Sequence, residues 1–69
     1  MRNRLAELRT TQGWTQQHLA DLVGVSRQTV ISLERGRYNP SITLAFRLAR
    51  TFEIDIEKLF LYEEDDDEQ

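Results

Sequence analysis

The stretch TQQHLADLVGVSRQTVISLERGRYNPS, Thr15 to Ser41, decides how this chain folds. Apolar residues recur at helical spacing on both sides of Gly24. Only Gly24 and Val25 separate the end of one helical pattern from Ser26, whose short hydroxyl side chain suits the cap that accepts the unpaired N–H groups of a new helix. The chain must turn sharply there, and glycine supplies a left-handed backbone that residues with a Cβ resist. Arg27 then poses a problem. It follows the cap directly, where its charge opposes the positive end of the helix dipole.

Ala20, one turn before Gly24, is small enough to let a crossing helix approach, and Val25, Val30 and Leu33 can fill the angle between the two. A small residue, a glycine four later, an apolar residue next to it and another five beyond make a helix-turn-helix pattern. Working outward, Thr15 caps the earlier helix, with Leu19, Ala20, Leu22 and Val23 inward. Ser26 caps the later one, which Gly36 stops. A first helix is expected from Arg2 to Gln12, with Leu5 and Leu8 one turn apart and Gly13 at its end. After the loop around Asn39 and Pro40, Ser41 caps a fourth helix with an apolar stripe of Ile42, Ala45, Leu48, Ala49 and Phe52. Asp55 caps a short fifth helix holding Ile56, Leu59 and Phe60. The reading is an all-α domain of five helices, residues 1–62, followed by an acidic tail, 63–69.

The quoted stretch resembles the Cro/repressor-type (XRE) helix-turn-helix regulators, in particular their short stand-alone bacterial and archaeal members, and the similarity runs from Arg4 to Phe60. The resemblance implies that the second helix crosses the DNA backbone while the third enters the major groove with its N-terminal residues against base edges. It carries Gln16, Arg27, Gln28 and Ser32 over as base-reading residues. Arg27 then has a reason: a guanidinium bonds guanine in bidentate fashion, and Gln28 can do the same with adenine. Ile31 either meets thymine methyl groups or packs under the Arg27 stem. Thr15, Thr29, Arg35, Arg37 and Asn39 are candidate phosphate contacts, which position a protein without reading sequence. Arg35 is also simply favourable near a helix C-terminus. Arg9 and Glu34 match positions that form an ion pair in phage repressors, so the resemblance gives them a structural role.

Trp14 is expected to wedge between the first two helices. His18, the single histidine, has no cysteine and no second histidine to build a metal site with, and is expected to be a plain exposed side chain. No metal, cofactor or catalytic constellation is expected: the chain has no glycine-rich phosphate loop and no spaced Ser/His/Asp set.

The net charge of −3 conceals an asymmetry, because residues 1–62 hold nine Lys/Arg against six Asp/Glu and residues 63–68 add six further acids. The body is basic and suits a nucleic-acid partner. Six consecutive acids repel one another and read as a solvated, disordered tail, or as a binding segment for a protein partner. No apolar run approaches membrane-spanning length, and MRNRLAEL lacks the apolar segment of a signal peptide, so a soluble cytoplasmic protein is expected, and the resemblance implies a bacterial or archaeal one. A domain this small buries roughly 60% of its unfolded surface, which makes help from a second copy plausible. A homodimer seam is expected at Leu59, Phe60, Leu61 and Tyr62 with Ile54 or Ile56; alternatively Leu59 and Phe60 close the monomer while Leu61 and Tyr62 pair as a strand with the N-terminus. The leading expectation is a dimeric repressor that binds double-stranded DNA. The alternative is a protein-interaction module such as an antitoxin.

Overall fold

Local hydrogen bonding sets the helix boundaries in the computed structural model, which describes residues 2–61. Tyr62 and the acidic tail lie outside the described residues. Helix α1 runs Leu5–Thr11, α2 Gln16–Val23, α3 Arg27–Glu34, α4 Ile42–Phe52 and α5 Ile56–Leu59, and a short strand flanks them at each end, β1 Arg2–Asn3 and β2 Phe60–Leu61. Each of Thr15, Ser26 and Ser41 accepts a backbone N–H three residues on, from His18, Thr29 and Leu44, at 3.0, 3.1 and 3.2 Å. Asp55 sits at the N-terminus of α5 without a side-chain capping bond, contrary to its expected role.

The first helix is shorter than its pattern suggested. Arg2 and Asn3 are extended and pair antiparallel with Leu61 and Phe60. The Asn3 carboxamide oxygen accepts the Leu5 N–H at 3.0 Å, so helical hydrogen bonding starts there rather than at Arg2. Phe60, expected in the fifth helix, is part of β2, and the amide N–H of Arg4 donates to the Leu59 carbonyl at 2.9 Å, extending the pairing by one bond. Arg4 also pairs with Glu7 at 3.0 Å on the surface. Hydrogen bonding, then charge attraction, holds the Glu7 carboxyl below its ordinary value. Whatever stability that pair adds is present above the unfolded value and is lost as pH falls through the lowered one.

One core joins the helices. Leu5, Leu19, Val23, Val30, Leu33, Leu48 and Leu59 are fully enclosed, with Ala20, Leu44, Ala45, Ala49, Phe52 and Phe60 around them, and no polar or charged residue is buried as a whole among the described residues. Two residues expected inward are not. Leu22 is 47% exposed, because the stripe of Leu19, Ala20 and Val23 already spans the core face of a two-turn helix and Leu22 falls beyond its edge. Ile42 is 72% exposed: the buried stripe of α4 runs through Leu44, Ala45, Leu48, Ala49 and Phe52, leaving Ile42 and Phe46, one turn apart, on a second apolar edge. Trp14 is half-buried, its ring 5.5 Å from that of Phe52, so it leans on α4 rather than filling only the α1–α2 angle. His18 is exposed and meets the Trp14 ring edge-on at 5.5 Å.

The turn between α2 and α3 is made as the sequence implies. Gly24 has φ +77°, and its N–H and that of Val25 both return to the Ala20 carbonyl, at 2.9 and 3.0 Å. Arg47 of α4 donates to the Val23 carbonyl at 3.0 Å and satisfies another open group at the same helix end.

Candidate nucleic-acid interface

Helix α3 carries the residues singled out for reading, and its construction leaves one face for a partner. Val30 and Leu33 anchor it in the core. At 3.6 residues per turn, Gln28, Ile31, Ser32 and Arg35 then occupy the opposite side, with Arg27 and Glu34 on the flank toward α1 and α2. Arg27 and Gln28 are exposed, and neither side chain makes a hydrogen bond or ion pair with a described residue. Ser32 is half-buried. Ile31 is half-buried too, in a shallow cleft whose walls are Ala6 of α1, Gln16 of α2, and Arg27, Ile31, Glu34 and Arg35 of α3. That placement next to Arg27 fits either of its expected roles.

The rear of α3 is held by a charged network. Arg9 Nε donates to Glu34 Oε2 at 2.6 Å and Nη2 to Oε1 at 3.3 Å, while Nη1 bonds the Trp14 carbonyl at 2.8 Å. Gln16 Nε2 donates to Glu34 Oε1 at 3.1 Å. The Glu34 carboxylate therefore ties α3 to both α1 and α2. In the free protein this bond engages the amide nitrogen of Gln16, and its carbonyl oxygen makes no bond to a described residue. Because Glu34 is nearly enclosed, with a side chain 8% exposed, its loss strands the Arg9 guanidinium. Glu34→Ala is expected to cost about 2 kcal/mol and to lower the thermal midpoint by roughly 10 °C, read by circular dichroism, with the preferred DNA sequence unchanged. A wild-type midpoint would contradict the anchoring role.

The expected phosphate contacts differ in availability. Arg35, Arg37 and Asn39 are exposed along the end of α3 and the loop that follows. Thr15 is exposed, with its hydroxyl engaged in capping α2. The half-buried Thr29 shares its hydroxyl with Ser26 at 2.9 Å.

At the expected dimer seam, Leu59 is 0% exposed and has no surface to offer a second copy: it closes this chain's own core, as does most of Phe60. Ile54 and Ile56 are half-buried, and Leu61 is 38% exposed. Tyr62 lies outside the described residues. A largely apolar groove runs past Pro40, Ile42, Ala45, Ile56 and Phe60, and an adjoining one of mixed character runs past Phe46, Ala49 and Ile54 together with Arg50, Glu53 and Asp55. Phe46, Arg47 and Asn3 are not singled out in the sequence, and Ile42 is expected there only as a core residue of the fourth helix. The Ile42–Phe46 spacing of one turn was the available clue; nothing local marked the other two.

Among the described residues no helix is long and apolar enough to cross a membrane, and no group of three or more His, Cys, Asp or Glu could hold a metal.

Comparison with known proteins gives this geometry its family. A family model described as Helix-turn-helix (HTH_3) matches residues 5–59. An uncharacterised HTH-type transcriptional regulator of Archaeoglobus fulgidus is 47% identical over 66 residues, 96% of this chain and 94% of the relative. A protein of Acinetobacter baylyi named competence pilus inhibition repressor is 37% identical over 62 residues, 90% of this chain and 56% of its own length. Among solved structures, the restriction-modification controller protein of Aeromonas hydrophila superposes with a TM-score of 0.75 at 42% identity, covering 83% of this chain and 86% of that one. The chain belongs to the XRE-type helix-turn-helix family of transcription regulators, DNA-binding proteins that are not enzymes.

Proposed function

We propose that the protein is a dimeric, sequence-specific repressor that lays α3 in the major groove of its operator. The observation that carries this reading is the pairing of a firmly anchored α3 with an exposed Arg27 and Gln28 whose side chains make no hydrogen bond or ion pair with a described residue. Arg27 faces guanine and Gln28 adenine, Ser32 completes the reading edge, Ile31 contacts thymine methyl groups, and Gln16 reads from the start of α2. Arg35, Arg37, Asn39, Thr15 and Thr29 hold phosphates. Repression is supported by the name of the Acinetobacter relative.

Two-fold proteins place their reading helices about 34 Å apart on half-sites roughly 10 bp from centre to centre, so this reading requires a second copy. The exposed Ile42, Phe46 and Leu61, with half-buried Ile54 and Ile56 beside them, support a seam on the outer edge of α4 and the C-terminal elements. Selection of bound sequences from random DNA tests the function. A two-fold symmetric sequence is expected, and the absence of any enriched sequence would refute operator recognition. Sedimentation at micromolar concentration tests the seam: the wild type is expected to be a dimer and Phe46→Asp a monomer with operator affinity reduced more than tenfold, because the seam would have to bury an unpaired charge. A wild type that sediments and binds DNA as a monomer would overturn the dimer.

A further inference from the structure

We propose that Asn3 is a positioning residue for DNA recognition, its carboxamide fixing the angle between the reading helix and the C-terminal elements so that the protein accepts one half-site spacing. This rests on the dimeric reading above.

Asn3 is half-buried and faces three elements at once. Its backbone lies in β1 opposite Phe60 of β2. Its Oδ1 accepts the Leu5 N–H that opens α1, and its Nδ2 donates to the Leu33 carbonyl at 2.7 Å, the shorter and longer-range of the two bonds. Leu33 O, in the last turn of α3, also accepts the Gly36 N–H at 3.0 Å, and the Asn3 bond is the one that ties this carbonyl to another element of the fold. Only a short carboxamide can both donate and accept at this reach; aspartate accepts only, and a hydroxyl is shorter.

The position of this bond gives it consequence. The other polar ties of α3, from Arg9 and Gln16, run to α1 and α2, so they fix the reading helix within the DNA-facing unit. Asn3 ties it instead to the terminal strand pair. Strand β2 directly continues α5, whose Ile56 lines the apolar groove assigned above to the second copy. A continuous path therefore runs from the seam through α5, β2 and Asn3 to the end of α3. Loosening it leaves each α3 able to read a half-site but frees its angle relative to the other.

The experiment uses full-length Asn3→Asp, which keeps the Leu5 cap, removes the donor and sets a carboxylate against the Leu33 carbonyl. Asn3→Ala removes the carboxamide without adding charge and serves where the aspartate variant unfolds. Affinities are measured for duplexes carrying two inverted copies of the selected half-site at centre-to-centre spacings from about 8 to about 13 bp, and for a single half-site. The wild type is expected to favour one spacing over its neighbours about tenfold, and the variants by no more than about twofold, with single half-site affinity within about twofold of wild type. Variants that keep the wild-type spacing preference overturn the proposal, as does a loss at the single half-site equal to that at the operator, which a merely structural role would give. A wild type with no spacing preference refutes the dimeric reading, and the role of Asn3 with it.

Discussion

Leu48→Ala is expected to remove about 3 kcal/mol of folding stability, the larger part of what a domain of this size has. Leu48 lies in the middle of α4 with none of its surface exposed. Ala45 and Ala49 beside it are already small, and Leu44 and Phe52, one turn to either side, are themselves buried in close packing, so the void left by the isobutyl group closes only in part. No disulfide compensates, since the chain has no cysteine. A guanidinium titration should show the midpoint falling by half or more at an unchanged slope, because the surface exposed on unfolding is nearly the same. Leu22→Ala supplies the contrast. It removes the same atoms from a side chain that is 47% exposed and is expected to shift stability by less than about 0.5 kcal/mol. Equal effects at the two leucines would contradict the division of apolar residues between core and surface.

That division also marks where sequence reasoning reached its limit. The caps at Thr15, Ser26 and Ser41 were legible because each bonds a residue three positions on, and Gly24 because a positive φ is a local demand. Helical period located the stripes of α2 and α4 but could not say how wide a stripe the neighbouring helices would cover; Leu22 and Ile42 each fall just beyond the edge of theirs. The strand pair is an alternative to the dimer seam in the sequence reading, while the first helix is expected from Arg2; the pair depends on residues some sixty positions apart, Arg2 with Leu61. Asn3 and Arg47 reach carbonyls 30 and 24 positions away, and a carbonyl carries no mark in the sequence. The Arg9–Glu34 pair was legible only through the resemblance, since nothing in the spacing of the two residues brings them together. Gln16 came into view as a base-reading residue, whereas its bond to Glu34 makes it part of the same anchor. For base recognition the anchor is as important as the reading residues, because a bidentate contact needs its donor held in place.

Arg27 and Arg37 should separate reading from positioning. Arg27→Ala is expected to cost about 1–3 kcal/mol at the preferred site, up to roughly a hundredfold in affinity, and to relax the preference at one base position of each half-site. Binding to random duplex should change far less. The sign of the stability change is the second half of the prediction. Arg27 occupies the first position of α3, where no acidic residue offsets its charge against the helix dipole, so its removal should leave the free protein unchanged or more stable by a few tenths of a kcal/mol. A residue whose loss helps the free fold and harms the complex is held there by the complex. Arg37, exposed in the loop after α3, should behave differently. Arg37→Ala is expected to weaken all sequences alike and to reduce the slope of log affinity against log salt by about one, the signature of one lost phosphate contact. If Arg27→Ala left the selected sequence intact, or Arg37→Ala altered it with the salt slope unchanged, the assignment of the N-terminal turn of α3 to base edges and of the following loop to the backbone would be wrong.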